Sequence, residues 1–446
     1  MQPKESVFYR NLRKNYPVVD RAEGIHVWDK TGKKYLDGSG GAVVVSIGHG
    51  VPEIREAMIK QAERTSFIHS SHFTNEASME CAELLCDLVP GKNLNKVYFL
   101  SGGSEAVESS IKLVRQYWRE SGKPDKFKII SRWSSFHGNT TGALALGGHT
   151  SRRKHYLAIM QYTPHIEPPY CFRCGFKETP DKCSLQCAEN LERAILHEGP
   201  DSVAAFIAEP VIGATAGAIV PIEGYWQRIR QICDKYDIKL IADEVMTGIG
   251  RCGENFCLDH WNVIPDIIIL AKGLSSGYTP LGAVIAKDEI HQTIKRGSGM
   301  FVHGHTYGQN PLSSAIGAAV LKYIDKNKLI DRSKKMGEIF NNRLKEELSD
   351  LDIVGDVRGM GLFSGIEFVC NKNSNECFEN DLKINTQVAK QAFSRGLITY
   401  PGGGGVDGMS GDHILLAPPF IIKESQIDEM IDITKRAILA VQGMID

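Results

Sequence analysis

Downstream of Pro90-Gly91 the chain alternates short, almost wholly apolar runs with longer segments of helical pattern. The apolar runs are "KVYFL", "KIIS", "VAAFIAEP", "IKLIADE", "DIIIL" and "GAVIA". Several are separated by helix-like segments: "SEAVESSIKLVRQYWRES", "AENLERAILHE" and "GYWQRIRQICDKY". A strand that is apolar on both faces must be covered on both, and strands alternating with helices give a mostly parallel sheet between helical layers. This alternation predicts an α/β fold.

The flanks read differently. "IHVWD" and "KKYLD" are short strands around the turn "DKTG", followed by glycines 38, 40 and 41. "VPEIREAMIKQAER" and "ASMECAELLCDLVPG" have helical spacing. After residue 325 come helix, the strand "GLFSGIEFV", helix, the strand "HILLAPPF" and a closing helix, which reads as a smaller α+β domain. The expected division is a large domain over 63–325, with 1–62 and 326–446 forming an N-terminal segment and a C-terminal small domain.

Charge is balanced, with 52 basic and 53 acidic residues, so nothing predicts a nucleic-acid or membrane-surface partner. No apolar run reaches the length of a membrane span. Eleven cysteines without an export signal point to reduced thiols and a cytoplasmic protein.

Ligands of open parallel sheets bind at the carboxyl ends of the strands, so the residues that follow each strand are the ones to read. "KVYFL" runs into "SGGSEAV", where Gly103, Ser104 and a helix N-terminus suit a phosphate, or simply an ordinary capped turn. "KIIS" leads to Phe136 and His137, suited to stacking on a planar ring or to packing in the core. "IKLIADE" ends in Asp243, an acid that needs a partner: a protonated pyridine nitrogen, a helix cap, or an ion pair with Arg251. "DIIIL" ends at Lys272, whose amine would be a usable nucleophile once desolvated, or a snorkelling surface cation. Together these groups are what pyridoxal 5′-phosphate requires.

The chain resembles the class III aminotransferases, the ω-amino branch (subgroup II) of the fold-type I pyridoxal-phosphate enzymes. The resemblance runs from "HVWDKTGKKYLDGSGG" to "LLAPPFIIKESQIDEMI" and is most specific in "IADEVMTGIGRCG" followed by "LAKGLSSGYTPLGAV". It implies Lys272 as the imine-forming lysine and proton shuttle, and Asp243 as the pyridinium partner. Val245 and Phe136 would cover the two ring faces, with His137 close by. Gly103 and Ser104 would hold the phosphate, with Thr306 reaching the cofactor of a neighbouring subunit. Glu209 would lie near the phenolic side of the ring. A homodimer with shared sites is implied, acting on an amine and a 2-oxo acid.

Departures from the family narrow the substrate. Ornithine-type relatives carry an arginine where Asn139 stands, and the 4-aminobutyrate type carries an acid where Ala214 stands and an arginine where Ile414 stands. Arg358 matches an arginine that binds a carboxylate in ornithine-type relatives; pairing with a protein acid is the alternative. Val43 stands where some amine:pyruvate relatives have tryptophan, which leaves room for a bulky amine. "TYPGGGGVDGMSGDH" reads as a flexible loop at the entrance. The leading expectation is a transaminase; a lyase acting on an amino-alcohol phosphate, an aminomutase or an epimerase would use the same groups. Cys171, Cys174, Cys183 and Cys187, in "CFRCGFKETPDKCSLQC", form an insertion compatible with a structural zinc, with free thiols, or with a disulfide. The start of the following helix would favour a thiolate at Cys187. A non-catalytic zinc-binding protein is the remaining alternative.

Overall fold

The computed structural model describes residues 6–445. Its first strands, β1 (Val19–Glu23), β2 (His26–Asp29) and β3 (Lys34–Asp37), form an antiparallel meander. Asp29 closes the predicted "DKTG" turn: its Oδ1 accepts from the backbone N–H groups of Thr31 at 2.9 Å and Lys33 at 3.1 Å.

The central sheet contains β4 (Leu94–Leu100), β5 (Lys128–Arg132), β6 (His165–Ile166), β7 (Val203–Ala208), β8 (Lys239–Asp243), β9 (Ile267–Leu270) and β10 (Gly282–Lys287). Their order is β4-β10-β9-β8-β7-β5-β6. All run parallel to one another except β10, which is antiparallel to both neighbours. The reason lies in chain length. Only residues 271–281 join β9 to β10, too few for the crossover helix that a parallel return requires.

The period-2 alternation of the strands separates two cores. Ala205, Ile207, Ile241, Ile267 and Ile269 pack with Val107, Val114 and Trp118 of the helix Gly103–Glu120. Phe206, Leu240, Ala242, Ile268 and Leu270 face the larger core on the other side. This is the two-faced burial that the apolar runs predicted.

The C-terminal sheet is built from β11 (Val354–Gly359), β12 (Ser364–Phe368), β14 (Tyr400–Gly403) and β15 (Asp412–Leu416), in the order β11-β12-β15-β14. The two-residue β13 (Leu397–Ile398) leaves that sheet and pairs parallel with β3. That pairing ties the N-terminal segment to the C-terminal part. The proposed cut at residue 62 falls inside the helix Pro52–Arg64.

The stretch expected to be a flexible loop is a hairpin. Its first residues are β14, and the turn is held by Gly404 N–H to Gly411 O at 2.8 Å and Met409 N–H to Asp407 Oδ1 at 2.7 Å. Glycine supplies the positive φ at 404, 408 and 411 that such a turn needs. Ser151 N–H reaches Gly408 O at 3.0 Å, so the hairpin docks on residues 149–151.

The amino ends of the central strands are tied by a buried anion. Asp266 accepts from Leu240 N–H at 2.8 Å, Arg230 Nη1 at 2.8 Å and Lys287 Nζ at 2.7 Å. Burial pushes its pKa up, but the two cations and the hydrogen bonds outweigh this and hold it below the usual carboxylate range. Asp266→Asn is expected to destabilise the protein by about 3 kcal/mol at pH 7. A depressed folded-state pKa contributes stability above the unfolded value and loses it as pH falls. The gap between the two proteins in urea unfolding should therefore narrow below about pH 4.

Candidate active site

Five parallel strands deliver the predicted residues to one end of the sheet. Gly103 and Ser104 open the helix after β4, Phe136 and His137 follow β5, and Glu209 directly follows β7. Asp243 is the last residue of β8, and Lys272 lies two residues beyond β9. The helix Gly103–Glu120 has no side-chain cap, so its first N–H groups are free for a ligand. Gly102 is extended there, and a Cβ on Gly103 would come within 3.2 Å of both Val245 methyl carbons.

Asp243 is buried, and its partner is His137, not Arg251. His137 Nδ1 lies 2.7 Å from Asp243 Oδ2. An ionised carboxylate only accepts, so Nδ1 carries the proton. His137 Nε2 faces Ser131 Oγ at 3.2 Å, and Val245 N–H donates to Asp243 Oδ1 at 3.1 Å. Arg251 instead donates to three carbonyls, Pro418 at 2.7 Å, Leu362 at 2.9 Å and Val45 at 3.3 Å. Burial lowers its pKa to about 10.

Lys272 has φ of 44°, in the left-handed region that a side chain rarely adopts. Such strain is held only where the surroundings fix it, and it collects at functional sites. Burial lowers the amine pKa to about 8, against the opposing pull of Asp243 and Glu209. Glu209 is raised by its own burial, partly offset by His137 and Arg132. Its Oε1 accepts the Phe136 N–H at 3.2 Å, while Oε2 has no hydrogen-bond partner. Asn139 N–H donates to Ser104 Oγ at 3.0 Å, binding the β5 loop to the helix N-terminus.

The remaining predicted residues are placed differently. Thr306 is exposed on the single chain, in a segment that also exposes the apolar residues Met300, Val302 and Tyr307. Val43 is buried in a kinked turn with φ of 60°, a conformation no β-branched side chain favours. Residues 46 and 47 of that segment donate backbone N–H bonds to Ser276 Oγ, four residues beyond Lys272.

Arg358 is occupied. It pairs with Asp356 at 2.7 Å and Glu367 at 2.8 Å, donates to Gly217 O at 2.8 Å, and also bonds Ala216 O. The cysteine-bearing insertion completes this network. Tyr170 bonds Glu367, and Arg173 Nε lies 2.7 Å from Glu367 Oε1. Of the two readings of Arg358, pairing with protein acids is the one these contacts match.

Zinc is not supported either. Cys171, Cys174, Cys183 and Cys187 are free thiols lining one small cavity, but no group of three or more Cys, His, Asp or Glu among the described residues is placed to hold a metal ion. Burial raises the Cys187 thiol to about 12, overriding the helix N-terminus that was expected to favour a thiolate.

Sequence reasoning missed Arg132 and Arg152. Arg132 ends β5 fully buried and lies 3.7 Å from Glu209 Oε2, a charged strand end readable by the same rule that found Asp243. Arg152 stands with its guanidinium carbon 4.4 Å from the centre of the Phe136 ring. A cavity of about 410 Å³ between Tyr98, Val284, Ile290 and Phe301 includes none of the strand-end groups.

A desolvated lysine and a buried carboxylate meet at the carboxyl end of a parallel sheet, where such sheets bind their ligands. The family model for class III aminotransferases matches residues 8–438. The chain is 41% identical over 431 residues to the uncharacterised aminotransferase YodT of Bacillus subtilis, covering 97% of each. It is 35% identical to the putrescine–pyruvate aminotransferase of Pseudomonas aeruginosa, covering 96% of this chain and 92% of that one. A transaminase from the marine bacterium Virgibacillus superposes with a TM-score of 0.92 at 35% identity, over 99% of this chain and 98% of that one. The protein belongs to the class III aminotransferases.

Competitive labelling of the cofactor-free protein with an amine reagent should give Lys272 a titration midpoint of about 8. A midpoint near 10.4, as for an ordinary lysine, would contradict the desolvated environment.

Proposed function

We propose that this aminotransferase takes an amino group from an ω-amino or β-amino compound and gives it to a 2-oxo acid such as pyruvate or 2-oxoglutarate, with pyridoxal 5′-phosphate as cofactor. The observation that carries the reading is Lys272, a half-buried residue with a desolvated amine, on the strand end next to the Asp243–His137 pair. The residues fit the cofactor. A Cβ on Gly103 would press on the Val245 methyl carbons, the helix N-terminus is uncapped, and Glu209 Oε2 accepts no hydrogen bond. When bound, the cofactor supplies an electron sink that acidifies the substrate C–H bond.

The chain's own residues would divide the remaining work. Gly103 and Ser104 would hold the phosphate, and Phe136 and Val245 the two ring faces. Asp243, oriented by His137, would keep a proton on the ring nitrogen. Glu209 would face the phenolic side. Lys272, with a pKa close to the working pH, suits the taking and returning of a proton at the substrate carbon. Val43 would form part of the pocket wall. Thr306, exposed here, would serve the site of a second copy, so the active form would be a homodimer. Among the described residues no helix is long and apolar enough to cross a membrane.

The donor class rests on what the pocket lacks. Asn139, Ala214 and Ile414 stand where the ornithine and 4-aminobutyrate types carry charge. The relative named for putrescine and pyruvate supports a donor with a terminal amine.

Absorbance of the holoenzyme tests the reading. An ω-amine alone should bleach the imine band, and pyruvate or 2-oxoglutarate should restore it. Turnover without any oxo acid would identify a lyase or isomerase instead. Lys272→Ala should lower the rate by roughly 10²- to 10⁴-fold or more, with the bleaching step itself lost.

A further inference from the structure

Of the arginines Arg132, Arg152, Arg251 and Arg358, all but Arg152 are engaged with protein acids or backbone carbonyls. Arg132 donates through Nη2 to the Glu209 carbonyl and lies 3.7 Å from its carboxylate, with Nε and Nη1 buried and unpartnered, while Arg251 is used by three backbone carbonyls and Arg358 by Asp356, Glu367 and two carbonyls. Arg152 is the exception. Among the described residues its side chain makes no hydrogen bond and no ion pair, and its one close partner is the face of Phe136 at 4.4 Å.

Its backbone is nevertheless firmly placed. Arg152 lies in the single helical turn Thr150–Arg153, and its N–H donates to His149 O at 3.1 Å. His149 is buried, with Nε2 2.6 Å from Gly403 O in the glycine-rich hairpin. The fit is close on both sides: a Cβ on Gly404 would meet His149 Nε2 at 2.7 Å, and one on Gly408 would meet Thr150 Oγ1 at 2.3 Å. The hairpin and the 149–153 turn therefore form one wall, with a half-buried cation held beside Phe136. Phe136 is in turn fixed by its N–H bond to Glu209. The field of Arg152 also reaches Lys272, where it adds to the lowering that burial begins.

We propose that Arg152 binds the carboxylate of the 2-oxo acid acceptor and so sets the specificity of that half of the reaction. The chemistry fits the position. A guanidinium presents parallel N–H donors that match a carboxylate, and stacking on an aromatic face leaves those edge donors free. Arg358, which could have done this work, is neutralised by protein acids. An amine donor without a carboxylate would use the same pocket with Arg152 left against Phe136.

The proposal rests on the transaminase reading, and the test separates the two. The amino-loaded holoenzyme, its Arg152→Gln form and its Arg152→Lys form are each given pyruvate and, separately, the uncharged acceptor butanal. Return of the imine absorbance is followed. Arg152→Gln should lower the selectivity for pyruvate over butanal, as a ratio of kcat/KM, by roughly ten- to hundredfold, mainly through the KM for pyruvate. Arg152→Lys should recover part of it. Propanoate, which cannot react, should inhibit the butanal reaction of the unmodified enzyme and do so more weakly in Arg152→Gln. Unchanged selectivity, or equal losses with both acceptors, would overturn the role of Arg152 alone. An unmodified enzyme that passes its amino group to neither acceptor would overturn the transaminase reading and this proposal with it.

Discussion

The site is organised around one buried anion. Asp243 ends a strand that is apolar on both faces, so its charge is tolerable only with a partner in place. His137 provides that partner at 2.7 Å, but it stands on the loop after β5, two strands away. The hydrogen bond therefore fixes how β5, β7 and β8 align at their carboxyl ends. Glu209 emerges between them, under Arg132 and against the Phe136 N–H. Sheet register and active-site geometry are thus set by the same contacts. Parallel strand direction puts the groups on one end of the sheet, and the charge pairs fix their heights.

A second network explains the insertion that carries the four clustered cysteines. The loop supplies Tyr170 and Arg173 to Glu367, and Glu367 with Asp356 holds Arg358. Removing one partner from such a buried set leaves charge without compensation, so its members depend on each other. The insertion is then a structural brace with a functional consequence: it keeps an arginine that could read a substrate carboxylate engaged with protein.

The parts of the fold legible in sequence are those set by local pattern. The strand runs, the "DKTG" hairpin and the helix boundaries follow from periodicity and turn chemistry. The antiparallel course of β10 was also readable, since residues 271–281 are too few for a crossover helix. Lys272 and Asp243 were legible because a charge ending a buried strand needs a reason. What escaped depends on contacts between distant segments. The occupancy of Arg358 requires knowing where Tyr170 and Arg173 land. The fixed position of Arg152 requires the docking of a hairpin some 250 residues further along the chain. Cysteine spacing correctly suggested proximity, since the four thiols share a cavity, but spacing says nothing of the distances and angles that ligation needs. Nor does sequence show that Val43 and Lys272 hold left-handed backbones, because neither residue type favours that conformation.

Charge balance gives the arrangement its direction. Buried anions in the site are matched within the protein, Asp243 by His137 and Glu209 by Arg132. The positive side is in excess: an uncapped helix N-terminus at Gly103, an amine at Lys272 whose charge is disfavoured by burial, and a guanidinium at Arg152 without an acid. A low-dielectric cavity keeps such an excess only at a cost, which bound anions relieve. A phosphate at the helix end would answer the first of these charges and a carboxylate would answer Arg152.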